Sequence, residues 1–150
     1  MPLHSPPDLD ALLPQRGRMR LVEAVVDAAP GMAVTRSRAS GDWPLCRNGR
    51  VDPLVMIELV AQSAAVSFAM DRSTPDGPEG ENFGFLVGIR EARFFIDALA
   101  PGDLLVTRVK DGFVLEDYRE IVGTVHRGRH LAAEITLQVI QAAPAKEDRK

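Results

Sequence analysis

The sequence predicts an α+β domain in which a curved antiparallel sheet wraps around one long central helix at about residues 53–71. Three observations predict this fold class. One long apolar segment contains no glycine, alternating polar and apolar segments lie on both sides of it, and glycine- and proline-rich turns separate those segments. The strands are expected to have one solvent-exposed face and one apolar face, and the helix is apolar on all sides. We therefore expect the apolar face of the sheet to cover the helix.

The central helix is expected to follow Asp52, a good N-cap residue, with Pro53 at the first helical position. Its apolar side chains fall on every face, so either a membrane or a sheet must bury it. The segment is at the short limit for crossing a bilayer, and it contains Glu58 and Gln62 as well as serines. These features favour the sheet.

The 150 residues suit one domain, which we assign to residues 1–142, followed by a polar tail at residues 143–150. The net charge of −3 argues against a general nucleic-acid binder, and the single Cys46 excludes an internal disulfide framework. Residues 1–7 lack the basic and apolar regions of a signal peptide. We expect a cytoplasmic protein with no cofactor, no metal, no nucleic-acid partner and no membrane partner.

The segments before the helix predict a short helix and a β-hairpin. Residues 5–14 begin with a cap-like serine, end at a proline and have room for one or two helical turns. Residues 19–29 and 32–39 alternate as strands do, and Pro30-Gly31 between them is a turn signal. Residues 40–51 are predicted to be irregular.

The segments after the helix predict a loop and four strands. Residues 72–82 are polar and rich in glycine and proline, which is typical of a mobile surface loop. The strands are expected at residues 83–99, 104–109, 114–126 and 131–140. Asp111-Gly112 is a candidate hairpin turn, and the first of these strands is a candidate for a bulge at Gly84 or Gly88.

Glu58 is the one acidic residue within the apolar part of the helix. On a helical wheel it lies among Leu54, Ala61, Ala65 and Ala69, with Gln62 one turn further along. An ionised carboxylate that is buried without a partner is costly, so it must be paired, neutralised or open to a cleft. Two interpretations stay open: a glutamate that favours the helix dipole and reaches water, and a perturbed acid in a cleft.

Three segments of the chain carry a family resemblance. They are residues 12–23 (LLPQRGRMRLVE), residues 55–65 (VMIELVAQSAA) and residues 84–94 (GFLVGIREARF), the last followed by Ala-Pro-Gly-Asp at 100–103. Together they resemble the 3-hydroxyacyl-acyl-carrier-protein dehydratases of the hot-dog fold, most closely the branch linked to aryl-polyene synthesis. They correspond to that family's opening, usually Leu-Pro-His-Arg before an apolar strand, to its central helix, and to its long strand and turn.

The resemblance implies a dehydration mechanism. A helix acid, matched here by Glu58, protonates the leaving 3-hydroxyl, and a histidine from the loop before the helix removes the α-proton across a dimer interface. A backbone N–H beside the glycine matching Gly88 and the N-terminus of the helix polarise the thioester carbonyl, which stabilises the charge that develops there. The implied substrate-binding residues are Gly88, Gln62, Trp43, Pro53, Leu54 and Val55.

The chain departs from the family at the catalytic histidine. That histidine would fall near Trp43, but none lies between Asp42 and Glu58. Gln15 stands where a second, non-catalytic histidine is common. The histidines of the chain are interpreted as surface or hairpin residues, and they are His4, His126 and His130.

Three functions therefore stay open, in this order. The first is a dehydratase whose Glu58 acts alone or with a base from a partner subunit. The second is a non-catalytic subunit that pairs with a histidine-bearing hot-dog protein. The third is an acyl thioesterase, in which the helix carboxylate activates water.

The implied substrate is an acyl thioester on an acyl carrier protein or on CoA. The implied assembly is a homodimer or higher oligomer, with a heterodimer with another hot-dog protein as the alternative. Acyl carrier proteins are acidic, so a basic rim would attract them, although the same arginines could be ordinary solvated charges. The arginines expected to dock the carrier are Arg47, Arg50, Arg90 and Arg93.

Overall fold

A computed structural model of the chain describes residues 8–72 and 83–142. Three predicted features lie outside the described residues: the cap-like Ser5, residues 73–82 of the loop predicted at 72–82, and the tail at residues 143–150. Arg72, the first residue of that predicted loop, is instead the last residue of the central helix. The helices are α1 (Leu9–Leu12) and α2 (Val55–Arg72), with a 3₁₀ turn at Gly17–Met19. The strands are β1 (Ala24–Ala29), β2 (Met32–Arg38), β3 (Cys46–Arg47), β4 (Arg50–Val51), β5 (Phe83–Phe94), β6 (Leu104–Leu115), β7 (Tyr118–Arg127) and β8 (His130–Ala142).

Six strands form one antiparallel sheet in the order β1-β2-β6-β7-β8-β5, and β3 and β4 form a separate two-stranded ribbon. The helix α2 contacts all six strands of the large sheet, which requires the sheet to curve around it. The buried core lies between them. The predicted α+β architecture, with the hot-dog arrangement that the resemblance implies, is confirmed.

The sheet covers α2, which explains why the helix is apolar on every side. Its almost fully buried residues include Val55, Met56, Leu59, Val60 and Val66. At its start, the Asp52 carboxylate accepts a hydrogen bond from the Leu54 N–H at 2.9 Å, and i to i+3 bonds tighten the first turn. Because that turn is 3₁₀-like, the regular helix begins later than the predicted residue 53. Within the described residues, none of the helices has the length and hydrophobicity to cross a membrane.

The first strand is shorter than the sequence predicts. The alternating pattern covers residues 19–29, but β1 spans only Ala24–Ala29. Before it, the buried N–H groups of Leu21 and Val22 bind the side chain of Gln62, 41 and 40 residues away, instead of a neighbouring strand. The predicted pairing of the first two strands is confirmed, since β1 and β2 form an antiparallel hairpin.

The prediction of a turn at Asp111-Gly112 is wrong. The strand β6 continues through both residues, and the chain turns instead at residues 116–117, where Glu116 has φ 55°. The register between β6 and β7 shifts between Asp111 and Val114, so Gly112 belongs to a β-bulge. A glycine inside a strand can mark either a turn or a bulge, and here the bulge forms.

The segment predicted to be irregular contains a small hairpin. Arg47 of β3 pairs with Arg50 of β4, and Asn48 and Gly49 between them have φ of 51° and 74°. Asn-Gly is a strong signal for a two-residue hairpin turn, because both positions need positive φ. The Asn-Gly pair in the sequence was therefore sufficient to predict this hairpin.

The long strand β5 lies at one edge of the sheet and ends at Phe94, earlier than the predicted residue 99. Its pairing with β8 shifts register between Leu86 and Gly88. A bulge was predicted at Gly84 or Gly88, and the irregularity lies next to Gly88. Leu99 still pairs with Val51, but only as an isolated bridge. The edge position of β5 matters for the site, because Leu86 lines the same cavity as Glu58.

Candidate active site

Glu58 lies in the first turn of α2 and is half-buried beside a cavity of about 480 Å³. The helix α2, strands β5 and β8, and the segment before β1 border this cavity. Its lining residues are Asp10, Ala11, Leu12, Leu13, Pro14, Gln15, Arg16, Glu58, Ala61, Ala64, Ala65, Phe68, Leu86, Leu137 and Val139. The acid therefore lies beside a partly open cavity between helix and sheet.

Small side chains on α2 leave room for this cavity. Ala61, Ala64 and Ala65 form the helix side, and Leu137 and Val139 of β8 lie among the residues across from them. Glu58 and Phe68, which both line the cavity, are separated by about 15 Å along the helix axis at the α-helical rise. The result is an apolar slot along α2 with a carboxyl group near one end.

Gln62 fixes one oxygen of Glu58. Its Nε2 donates to Glu58 Oε1 at 3.0 Å and to the Met19 carbonyl at 2.7 Å. Its own Oε1 accepts from the backbone N–H groups of Leu21 at 2.9 Å and Val22 at 3.3 Å. Because the oxygen of this amide is committed to two N–H donors, its nitrogen must face Glu58. The side chain is 1% exposed.

We expect Gln62→Leu to lower the free energy of unfolding by about 2 kcal/mol, because two buried N–H groups lose their acceptor. Urea-induced unfolding measures this loss, with Gln62→Glu as a comparison that keeps an acceptor oxygen. A loss below about 0.5 kcal/mol would contradict the assignment, since it would mean that Leu21 and Val22 find other acceptors.

Gln15 approaches the same oxygen of Glu58 from the segment before β1. Its Nε2 lies 3.5 Å from Glu58 Oε1, while its Oε1 is buried and accepts a hydrogen bond from no described residue. Its backbone carbonyl accepts from Arg16 Nη1 at 3.0 Å and from Arg20 Nε at 3.2 Å. Arg20 is itself anchored on Asp10 at 2.6 Å, and this hydrogen bond lowers the pKa of the Asp10 carboxyl. Hydrogen bonds from Arg16 and Arg20 thus hold the backbone of the loop that carries Gln15.

The structure brings together only Glu58 and Gln62 among the predicted catalytic and substrate-binding residues. Trp43 is buried and borders a different surface pocket, next to Arg18 and Cys46. Pro53 lines a third pocket beside the β3–β4 ribbon. Leu54 is about half exposed and Val55 is buried in the core. Within a single chain, none of these four residues lines the cavity beside Glu58.

Gly88 lies opposite Gln138 of β8 in the sheet. A Cβ at this position would stand 2.4 Å from Gln138 Oε1, so any larger residue would displace the flexible end of this glutamine side chain. Gln138 Nε2 donates to the Tyr118 hydroxyl, which donates to Glu120. Gly88 therefore lies beside a polar network formed by Gln138, Tyr118 and Glu120, and it is not among the residues that line the cavity.

The four predicted docking arginines fall into two pairs. Arg90 Nη1 donates to both oxygens of Glu120 at 2.9 Å, and Arg93 forms ion pairs with Glu91 and Glu134. The hydrogen bond from Tyr118, together with Arg90, lowers the pKa of the Glu120 carboxyl. These two arginines are neutralised within the sheet.

Arg47 and Arg50 are different. They face each other in the β3–β4 ribbon, both are exposed, and neither forms an ion pair with another described residue. The pocket they line also includes Asp52 and Pro53 at the start of α2. Among the described residues, their two positive charges therefore have no carboxylate partner.

No described histidine lines the cavity. His126 lies in β7 and His130 is the first residue of β8, while His4 lies outside the described residues. The described residues also contain no group of three or more histidine, cysteine, aspartate or glutamate side chains that could hold a metal ion. The chemistry available from this part of the chain is that of a carboxyl group flanked by two amides.

Residues 10–16 form a wall of the cavity, together with Phe68, Leu137 and Val139, and the sequence pattern did not predict any of them as parts of the site. The apolar run Leu12-Leu13 before Pro14 was a signal that this segment packs against the domain, and Leu13 is 1% exposed. Nothing in the sequence pattern indicated that it would pack beside Glu58.

The comparisons with known proteins agree with the fold. No curated protein matches the chain. Among solved structures, the dehydratase heterocomplex ApeI:P from Xenorhabdus doucetiae matches with a TM-score of 0.78 and 21% identity, over 96% of this chain and 95% of that one. A hypothetical thioesterase with coenzyme A from Streptococcus pneumoniae TIGR4 matches with a TM-score of 0.63 and 11% identity, over 79% and 84%.

A third similar structure is that of an uncharacterized protein from Pyrococcus horikoshii. It has a TM-score of 0.64 and 19% identity, over 83% of this chain and 85% of that one. At these identities the structural matches show the hot-dog fold alone. The sequence profile of the ApeP-like family, described as ApeP dehydratase, matches residues 7–149. Because that match covers nearly the whole chain, the chain belongs to the ApeP-like dehydratase family.

Proposed function

We propose that the chain acts in the dehydration of 3-hydroxyacyl thioesters, with Glu58 as the general acid and with a base supplied by a partner hot-dog subunit. One observation carries this proposal. Glu58 Oε1 accepts from Gln62 and Gln15, while Oε2 has no partner among the described residues, beside an apolar cavity. A carboxyl group in such a place can transfer a proton to a bound substrate.

The proposed step is a β-elimination. The base removes a proton from the carbon next to the thioester carbonyl, a double bond forms between that carbon and the hydroxyl-bearing carbon, and the C–O bond breaks. The leaving oxygen takes the Glu58 proton and departs as water. The apolar slot along α2 suits the acyl chain, because burial of each CH₂ group contributes about 0.8 kcal/mol to binding.

A partner subunit is proposed because no described histidine lies near Glu58. The edge strand β5 offers a surface for pairing, since it carries exposed Leu86, Val87 and Ile89 at an open sheet edge. An exposed apolar edge strand is prone to pair with another strand. Leu86 also lines the cavity, so a hot-dog subunit paired along β5 would bring its own residues close to Glu58.

The test uses the protein alone and the protein co-expressed with a histidine-bearing hot-dog dehydratase subunit. Each sample is incubated with a 3-hydroxyacyl thioester, and both the enoyl product and free thiol are measured. We expect enoyl thioester without free thiol, and a rate that depends on the mixed assembly. Free thiol without enoyl product would contradict dehydration and indicate thioester hydrolysis instead. If neither product forms, the chain is a non-catalytic subunit and the proposal is rejected.

We further propose that Arg47 and Arg50 dock an acyl carrier protein. Replacing both with glutamine should raise KM for a carrier-bound substrate on the order of tenfold at low salt, because the attraction to an acidic carrier is lost. The difference should shrink at about 1 M salt, where charges are screened within about 3 Å.

Two controls sharpen this prediction. A pantetheine thioester lacks the carrier protein, so its KM should not change in the double variant. Arg93→Gln removes an exposed arginine that is already paired with Glu91 and Glu134 and should have little effect. An equal change of KM for the carrier-bound and the pantetheine substrate would contradict carrier docking.

A further inference from the structure

We infer that Gln15 is a positioning residue, which holds Glu58 so that the transferable proton resides on Oε2. This inference rests on the proposed function and adds to the candidate active site a residue from outside α2. Gln15 lines the cavity, and its Nε2 lies 3.5 Å from Glu58 Oε1. This distance is at the long limit of a hydrogen bond, and catalytic hydrogen bonds in unliganded sites are often long and shorten when substrate binds.

The orientation of the Gln15 amide follows from the groups around it. The Gln62 amide is fixed by its two backbone N–H donors, so its nitrogen must donate to Glu58 Oε1. Glu58 Oε1 is therefore the hydrogen-bond acceptor in this contact. If the Gln15 amide were rotated by 180°, its oxygen would face Glu58 Oε1 and the two oxygens would repel each other. Gln15 must present its N–H to Glu58.

Two amide donors on one oxygen decide where a proton binds on the carboxyl group. In a protonated carboxyl the carbonyl oxygen is the better acceptor, so N–H donors on Oε1 favour the tautomer with the proton on Oε2. Oε2 is the oxygen without a partner among the described residues. Gln15 and Gln62 together therefore direct the acidic proton away from the backbone of residues 19–22 and toward a bound molecule.

The other end of the Gln15 amide indicates that the residue is not there for stability. Its Oε1 is buried and accepts from no described residue, and a buried acceptor without a partner destabilises the fold. The loop nevertheless fixes Gln15, because Arg16 and Arg20 both donate to its backbone carbonyl. A residue that binds the acid with one end and leaves its other end unsatisfied fits a role in activity better than a role in folding.

The test compares Gln15→Met and Gln15→His with the wild-type protein in the partner-supplemented dehydration assay. Methionine has a similar length and no N–H, so we expect kcat to fall about tenfold with KM little changed, because one hydrogen bond to the acid is lost. The melting temperature should stay equal or rise by about 3 °C, since the buried unsatisfied oxygen is gone. Histidine keeps an N–H donor and should restore most of kcat.

Two results would overturn the inference. One is an unchanged kcat in Gln15→Met, and the other is a kcat loss accompanied by a lower melting temperature, as a structural role would give. Glu58→Gln in the same assay separates this inference from the proposed function. If Glu58→Gln is inactive while Gln15→Met is fully active, only the role of Gln15 is rejected, whereas full activity of Glu58→Gln rejects the proposed function itself.

Discussion

Replacing Glu58 with glutamine should lower kcat for dehydration of a 3-hydroxyacyl thioester by about 10²–10⁴-fold, the usual contribution of a positioned acid or base. Glutamine has nearly the same shape as glutamate and keeps an oxygen that can accept the 3.0 Å hydrogen bond from Gln62 Nε2. An amide has no proton acidic enough to transfer to the leaving hydroxyl. The loss should therefore appear in kcat with KM nearly unchanged, because the interaction removed is made only in the transition state.

The matched control is Glu23→Gln. Glu23 is exposed and is not among the residues that line the cavity, so this variant makes the same glutamate-to-glutamine replacement without touching the site. Both variants should have the melting temperature of the wild-type protein. Unchanged turnover in Glu58→Gln, measured with the histidine-bearing partner present, would remove Glu58 from the mechanism.

The pairing of Glu58 with Gln62 could be read from the sequence, because residues four apart lie on one face of a helix. The apolar character of α2 also predicted its burial, and Asp52 predicted where the helix is capped. These features depend on local spacing, which the sequence contains directly. The same applies to the strands, although their ends shifted where a glycine allowed either a turn or a bulge, as at Gly112.

The rest of the site depends on contacts between segments far apart in the chain. Gln62 binds the N–H groups of Leu21 and Val22, and Gln15 reaches Glu58 across 43 residues. A local pattern assigned residues 19–23 to a strand, because alternation in the sequence does not tell whether the hydrogen-bond partner is another strand or a side chain. The cavity wall at residues 10–16 was missed for the same reason.

Replacing Gly123 with alanine should lower the free energy of unfolding by about 3 kcal/mol, the upper end of what overpacking a core costs. Gly123 lies in β7 between Val109 and Ile135, on the face that packs against α2. A Cβ there would stand 2.5 Å from Val60 Cγ1 and 2.9 Å from Cγ2. Val60 is fully buried and β-branched, so its side chain has little freedom to rotate away. The helix itself would have to move away from the sheet.

The melting temperature of Gly123→Ala should accordingly fall by about 9 °C, and Gly41→Ala is the matched control. At Gly41 the nearest atom to an added Cβ, Pro101 Cγ, is 4.0 Å away, so that variant should be neutral or slightly stabilising. Val60→Ala should partly restore stability in the Gly123→Ala background, because it removes both methyl groups that clash. If the two substitutions were instead simply additive, the close approach of α2 to β7 would not be the reason for a glycine at this position.

The same clash should also affect turnover, because Glu58 lies two residues before Val60 on the same helix. A shift of α2 in Gly123→Ala should move the carboxyl group relative to its cavity and reduce turnover. Val60→Ala in that background should recover stability and turnover together.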